Sequence, residues 1–287
     1  MKILVLGGNG TLGHKLVEVL STAYEVHTSV RKRVSDYRWI PAPSGSIVEG
    51  LDVLDDGRLR SVMKSINPDV IVNAVGVIKQ REASPFEFMS VNSLFPYRLN
   101  NLCHGVRLIH ISTDCVYSGS RGNYIESDEP DPVDVYGLSK WMGEICACNA
   151  LTLRTSLVGW QIQDFNNLFS WFVQEGVIKG YKKAIFSGLT TRVFSELILY
   201  LIAAHPQMIG TFHVASQAIS KFDLLCGLRD ALGFRIAIEP DDSFVCDRSL
   251  WGDAFSRETH WTAPIWEKML EGIAGEWPHY EPLYKER

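Results

Sequence analysis

The sequence predicts an α/β protein: a doubly wound parallel sheet with helices on both faces, followed by a smaller, irregular C-terminal part. Three observations predict it. Short apolar strands alternate with helical stretches through the first half of the chain, the pattern of parallel strands joined by crossover helices. Asp69–Val75 is apolar and β-branched without alternation, as a strand covered on both faces requires. A glycine-rich turn joins the first strand to the first helix.

The elements follow in order. Lys2–Leu6 reads as the first strand and Leu12–Leu20 as the first helix; Glu25–Ser29 and Ser46–Glu49 read as further strands. Arg58–Ile66 has helical spacing and stops before Pro68, which cannot continue a helix. Beyond Asp69–Val75, Pro85–Cys103 and Tyr136–Asn149 read as helices, and Val106–Ser112 and Leu151–Ser156 as strands. After Gly159 the pattern loosens. Helical pieces are expected at Asn167–Glu175 and Val193–Ala204, and Gly210–Ala215 as a late strand returning to the sheet. The last part carries Trp251, Trp261, Trp266 and Trp277 without alternation. We therefore expect a Rossmann-type domain over residues 1–157 with a return segment at about 190–235. A smaller substrate-binding domain is expected from residues 158–189 and 236–287.

Composition removes several classes of function. Hydrophobic residues make up 46% and charged residues 21% of 287, ordinary globular values that exclude disorder, collagen and coiled coil. The net charge of −5 argues against a general binder of nucleic acid or anionic membrane. The apolar run Leu197–Ala204 is too short to span a bilayer, and the start of the chain lacks the long apolar stretch of a secretory signal. Of six cysteines, Cys146 and Cys148 form C-x-C with no histidine nearby. All six are expected as free thiols in a cytoplasmic protein with no metal site.

Gly7-Gly8-Asn9-Gly10-Thr11-Leu12-Gly13 follows the first strand and opens the first helix. In such a turn Gly7 makes the bend, Gly10 lets backbone approach a pyrophosphate, and Gly13 lets helix pack on strand. Free N–H groups from Thr11 and Leu12 onward then face the phosphates. An NAD-preferring site places an acid about 20 residues on. Here Arg31, Lys32 and Arg33 stand instead, and Arg31 suits a 2′-phosphate, which points to NADP(H). A solvated basic loop is the alternative. Asp52 can accept from an adenine amino group, or be an exposed loop residue.

Tyr136 and Lys140 lie four residues apart, on one face of a helix. A free tyrosine titrates near 10, and a neighbouring ammonium is expected to lower that value so that the phenol can exchange a proton with a carbonyl or alcohol. Thr113, in Ser112-Thr113-Asp114, sits at the end of the preceding strand, where ligands bind in such sheets. Its hydroxyl can hold the substrate oxygen beside Tyr136.

With GGNGTLG, NAVG (Asn73–Gly76), Val91-Asn92, STDCVYSG (Ser112–Gly119), VYGLSKWMGE (Val135–Glu144), LRTS (Leu153–Ser156), GTFHVA (Gly210–Ala215) and DRSL (Asp247–Leu250), the chain resembles the extended short-chain dehydrogenase/reductases. It looks most like their dTDP-4-dehydrorhamnose reductase family. The resemblance implies NADPH-dependent reduction of the 4-keto group of a nucleotide-linked 6-deoxyhexose, in polysaccharide biosynthesis. It implies Thr113, Tyr136 and Lys140 as the catalytic set, with Lys140 also on the nicotinamide ribose. It places Val53, Ala74, Val75 and Gly76 along the cofactor, and Asp114 and Cys115 beside the sugar. A nucleotide-sugar substrate is the expected partner, and a homodimer is admitted.

The chain departs from that family at Leu157, where the family usually has Trp, and at Gly188-Leu-Thr-Thr191, which usually reads G-Q-P-T. Arg192, just beyond, is a candidate clamp for the substrate pyrophosphate or an ordinary surface arginine; Asn166 and Asn167 are placed similarly. Three rival functions differ in the residues they require. A dehydratase needs an acid where Cys115 stands. An epimerase–reductase uses a cysteine at that position. A non-catalytic relative, such as the regulatory subunit of methionine adenosyltransferase, has no need of Thr113, Tyr136 and Lys140 together.

Overall fold

The structure is a computed structural model. It describes residues 1–285 except Arg38, Ser44, His104, Asn166, Gln174 and Glu175, and excludes the side chain of Trp171. The first half runs β1 (Lys2–Leu6), α1 (Gly13–Leu20), β2 (Glu25–Ser29), β3 (Ile47–Val48), α2 (Asp56–Ile66) and β4 (Val70–Asn73). It continues through α3 (Pro85–Phe88), a π-helical turn (Met89–Leu94), α4 (Phe95–Leu102), β5 (Arg107–Ile111), α5 (Val135–Met142) and β6 (Ala150–Arg154). The second half holds β7 (Leu157–Val158), α6 (Leu168–Phe172), β8 (Val177–Phe186), β9 (Leu189–Thr190), α7 (Thr191–Ala204) and β10 (Gly210–His213). Then come β11 (Ile219–Ser220), α8 (Lys221–Leu232), β12 (Ala237–Asp247), α9 (Asp253–Thr259) and α10 (Trp266–Lys285).

Seven strands form one parallel sheet in the order β10-β6-β5-β4-β1-β2-β3. The order reverses between β1 and β4, which opens a crevice above their carboxyl ends. Strand side chains alternate between faces, and both faces are dry. Ile3, Val5, Val70 and Val72 pack with α1, α7, α8 and α10. Leu4, Leu6 and Ile71 pack with α2 and α4 on the other side. A second sheet, β11-β8-β12, and a β7-β9 pair complete the fold.

Three departures from the sequence reading have local physical causes. Helix α5 ends at Met142, well short of Asn149, because Gly143 passes against the π-helical turn: a Cβ there would lie 1.9 Å from the Asn92 carbonyl oxygen. The long helix expected over Pro85–Cys103 is interrupted by that π-helical turn, which aims Asn92 inward. The C-terminal part is more regular than expected. Helix α10 runs 20 residues through Pro278 and Pro282. Both prolines lie on its exposed face, so the hydrogen bonds they remove are lost on the solvent side, while Trp266, Met269, Leu270, Ile273, Tyr280 and Tyr284 form the buried stripe.

Candidate active site

One crevice of about 880 Å³ lies across the carboxyl ends of the central strands. Its inner end is the glycine turn. Gly7 has φ +87°, a conformation that favours glycine. A Cβ on Gly13 would lie 1.9 Å from the Gly7 carbonyl oxygen, so helix and turn touch there. A Cβ on Gly10 would meet only that same oxygen, at 3.4 Å; its other side faces the crevice. No side chain caps the N-terminus of α1. Bare backbone and an uncapped helix end form a cradle for an anion. The turn is held from below, since the Gly8 amide donates to the Ser29 carbonyl at 3.0 Å.

Of the residues expected along a dinucleotide, Gly7, Gly10, Thr11, Leu12, Arg31, Asp52, Val53, Ala74, Val75 and Gly76 all line this crevice. Gly13 does not; it serves by letting α1 approach. Arg31 is exposed and Lys32 lines the crevice with it, whereas Arg33 does not. Asp52 accepts from its own Leu54 amide at 2.9 Å, which leaves the other carboxylate oxygen for a ligand. This donor and acceptor set fits an adenine dinucleotide with an extra phosphate.

Tyr136, Lys140 and Thr113 meet on the same wall. Asp134 caps α5 by accepting from the Gly137 amide at 2.8 Å, which sets Tyr136 in the first turn. The buried Lys140 ammonium donates to the Ile111 carbonyl at the end of β5, 2.6 Å away. Burial pushes its pKa down to about 8, opposed by Glu144. The phenol of Tyr136 is hydrogen-bonded to Thr113. Here the expectation of a lowered phenol is corrected. Burial, with the Cys115 thiol and the Asp114 and Asp134 carboxylates adding and the Thr113 bond opposing, holds Tyr136 well above its ordinary value. Loss of hydration of the phenolate outweighs the stabilisation expected from the lysine.

Asn92 fastens the wall. Its amide accepts from the Val77 N–H at 2.8 Å and donates to the Val77 carbonyl at 2.9 Å and the Ser139 hydroxyl at 3.0 Å. A buried ion pair fixes the strand end. Arg154 binds Glu144 through two bonds of 2.8 and 2.7 Å, and Ser112 donates to the same carboxylate at 2.7 Å.

At the outer end, Asp114 and Cys115 line the crevice. The Cys115 thiol is pushed up to about 12, mainly by burial, and therefore stays protonated. Asn167 also lines it, but its amide is spent on the Gly159 carbonyl at 2.7 Å. Asn166 lies outside the described residues. The structure does not bring Arg192 to the crevice. Thr190 caps α7 and Thr191 faces inward. The next residue round the helix turns outward, to Glu276 and Glu196 at 3.1 Å each. Sequence reasoning missed Lys79, Tyr181, Lys221, Phe244 and Arg248, which all line the outer end. Only the resembling DRSL segment hinted at any of them.

Comparison with known proteins agrees with this geometry. Residues 1–240 match the family described as the RmlD substrate binding domain. The probable low-salt glycan biosynthesis reductase Agl14 of Haloferax volcanii is 29% identical over 232 residues, 76% of this chain and 75% of its own. The spore coat polysaccharide biosynthesis protein SpsK of Bacillus subtilis is 25% identical over 296 residues, 94% and 97% of the two chains. The fold is shared with dTDP-4-dehydrorhamnose reductase from Bacillus anthracis, solved in complex with NADP. The TM-score is 0.79 and the identity 21%, over 96% of this chain and 99% of that one. With the family match spanning most of its length, this chain belongs to the RmlD substrate binding domain family.

Proposed function

We propose that the protein is an NADP(H)-dependent reductase of the 4-keto group of a nucleotide-linked 4-keto-6-deoxyhexose, as the dTDP-4-dehydrorhamnose reductases are named for. The observation that carries this reading is that Tyr136, Lys140 and Thr113 open on the same crevice as the glycine turn. In this reading residues 1–157 and the return segment hold the cofactor, residues 158–189 and 236–287 shape the sugar end, and the enzyme works in the cytoplasm.

Gly7, Gly10, Thr11 and Leu12 bind the pyrophosphate, Arg31 the 2′-phosphate, and Asp52 and Val53 the adenine, with Ala74–Gly76 along the remainder. The bound cofactor supplies the hydride. Thr113 hydrogen-bonds the substrate keto oxygen and Tyr136 gives it a proton. A raised phenol pKa suits this direction, because the donor is fully protonated near neutral pH. As the proton leaves, the Lys140 ammonium stabilises the phenolate and, through the ribose, fixes the cofactor's position. Asp114 and Cys115 contact the sugar.

The test is Tyr136→Phe, followed by oxidation of NADPH with a panel of 4-keto-6-deoxy nucleotide sugars. Turnover falls by about 10²- to 10⁴-fold, the usual worth of a positioned acid, while NADPH binding stays within twofold. Retained turnover overturns the assignment.

A further inference from the structure

Lys221 is the first residue of α8 and has no hydrogen-bond or ion-pair partner among the described residues. Its ammonium sits 3.5 Å over the Phe186 ring and faces the crevice. A cation at the first position of a helix meets the positive end of the macrodipole, and a half-buried cation without a counter-ion gains nothing from that place. The proposed proton transfer does not use it.

The small sheet shows what surrounds it. Ser220 pairs with Ile185 and Ile185 with Asp247, while Ala184 pairs with Cys246. Lys221 therefore continues the row Ala184–Cys246, and all three line the crevice. Two residues beyond Cys246, Arg248 donates to the Cys115 sulfur at 3.7 Å and to the Tyr117 carbonyl at 2.8 Å. Asp114, Cys115, Lys79 and Cys246 are the other titratable groups within reach of Lys221, and no carboxylate among the described residues pairs with it. Elsewhere on the same two strands, Tyr181 of β8 meets Phe244 of β12 with ring centroids 5.3 Å apart. Both rings are half exposed and line the same crevice. The crevice thus holds the reactive hydroxyls, the two cations and the aromatic pair together.

We infer that Lys221 and Arg248 form an anion subsite that takes the diphosphate of the substrate, with its base toward the Tyr181–Phe244 pair and its sugar toward Thr113 and Tyr136. This deepens the proposed function and rests on it. The set of groups in the crevice selects a nucleoside diphosphate over a sugar that merely bears one carboxylate: two cations are there for the anion and an aromatic pair for the base. Lys221 sets affinity for this part of the substrate and takes no part in proton transfer.

The test is titration calorimetry of the intact protein with dTDP, UDP and GDP, each against its nucleoside, and with NADPH. Wild-type protein binds at least one diphosphate more tightly than the matching nucleoside. Lys221→Gln weakens that diphosphate about 10- to 100-fold, the worth of a charge-assisted bond, while nucleoside and NADPH binding stay within twofold. Lys221→Arg restores most of the affinity. In turnover, Lys221→Gln raises KM and leaves kcat within about threefold. Unchanged diphosphate affinity in Lys221→Gln overturns this inference alone, as does equal loss of nucleoside or NADPH binding, which marks a damaged sheet. Wild-type protein that binds NADPH but none of the three diphosphates overturns the nucleotide-sugar reading with it.

Discussion

Among single residues, the proposed catalytic set was legible as types and spacing, but the direction of each perturbation was not. Tyr136 and Lys140 share a face because four residues make about one turn. That says nothing of water. Burial raises the phenol and pushes the ammonium down to about 8, so the pair works from the reverse of the expected starting state. A pH profile follows. Lys140 is charged below about pH 8 and loses its proton above it, whereas Tyr136 keeps its proton throughout this range. Turnover at saturating NADPH therefore holds from pH 6 to 7.5 and falls as pH rises through about 8, well before a free lysine or tyrosine titrates. Stopped-flow oxidation of NADPH across pH 6–10 measures it, and a profile flat to pH 10 would remove the role given to the ammonium. Arg192 illustrates a related blindness. One helical position separates it from Thr191, and that rotation of about 100° turns it from the crevice to Glu276 and Glu196.

Elements carry the parts of the site whose demands are local. A glycine is readable when chain neighbours impose the constraint, as at the turn between β1 and α1. Gly10 and Gly13 there do different work, and alanine separates them. At Gly13 the new Cβ meets immovable backbone at 1.9 Å. Gly13→Ala is expected to cost about 1–3 kcal/mol as an overpacked contact, seen as a lower urea midpoint. At Gly10 the added methyl finds only an ordinary 3.4 Å contact. Gly10→Ala keeps wild-type stability and loses NADPH affinity, because the methyl occupies space that phosphate needs. Equal stability losses in the two variants would refute the cradle. Gly143 demands glycine just as strongly, but its constraint is the Asn92 carbonyl, 51 residues away along the chain. That is why the expected end of α5 ran several residues too far.

At the scale of the whole molecule, the last helix closes on the first. His14 accepts from the Tyr280 hydroxyl at 2.8 Å while its other ring nitrogen donates to the Gly10 carbonyl at 2.8 Å. Burial holds the imidazole neutral, pushed down to about 3. Nearby, the buried Lys15 ammonium meets Glu276 at 2.9 Å. Tyr280→Phe leaves a buried ring nitrogen unpaired and is expected to cost about 1–3 kcal/mol, measured by urea denaturation; an unchanged midpoint would show that the contact contributes nothing. The sequence by itself determined the parallel sheet, the glycine cradle and the Thr113, Tyr136 and Lys140 set, because alternation, turn sterics and helical spacing act over a few residues. Tertiary structure alone decided the outer end of the crevice. Strand β12 holds Pro240 and adjacent aspartates and is a strand only because β8, some 60 residues earlier, offers its edge. Lys221, Phe244 and Arg248 therefore converge through pairing between distant segments, which no local pattern encodes.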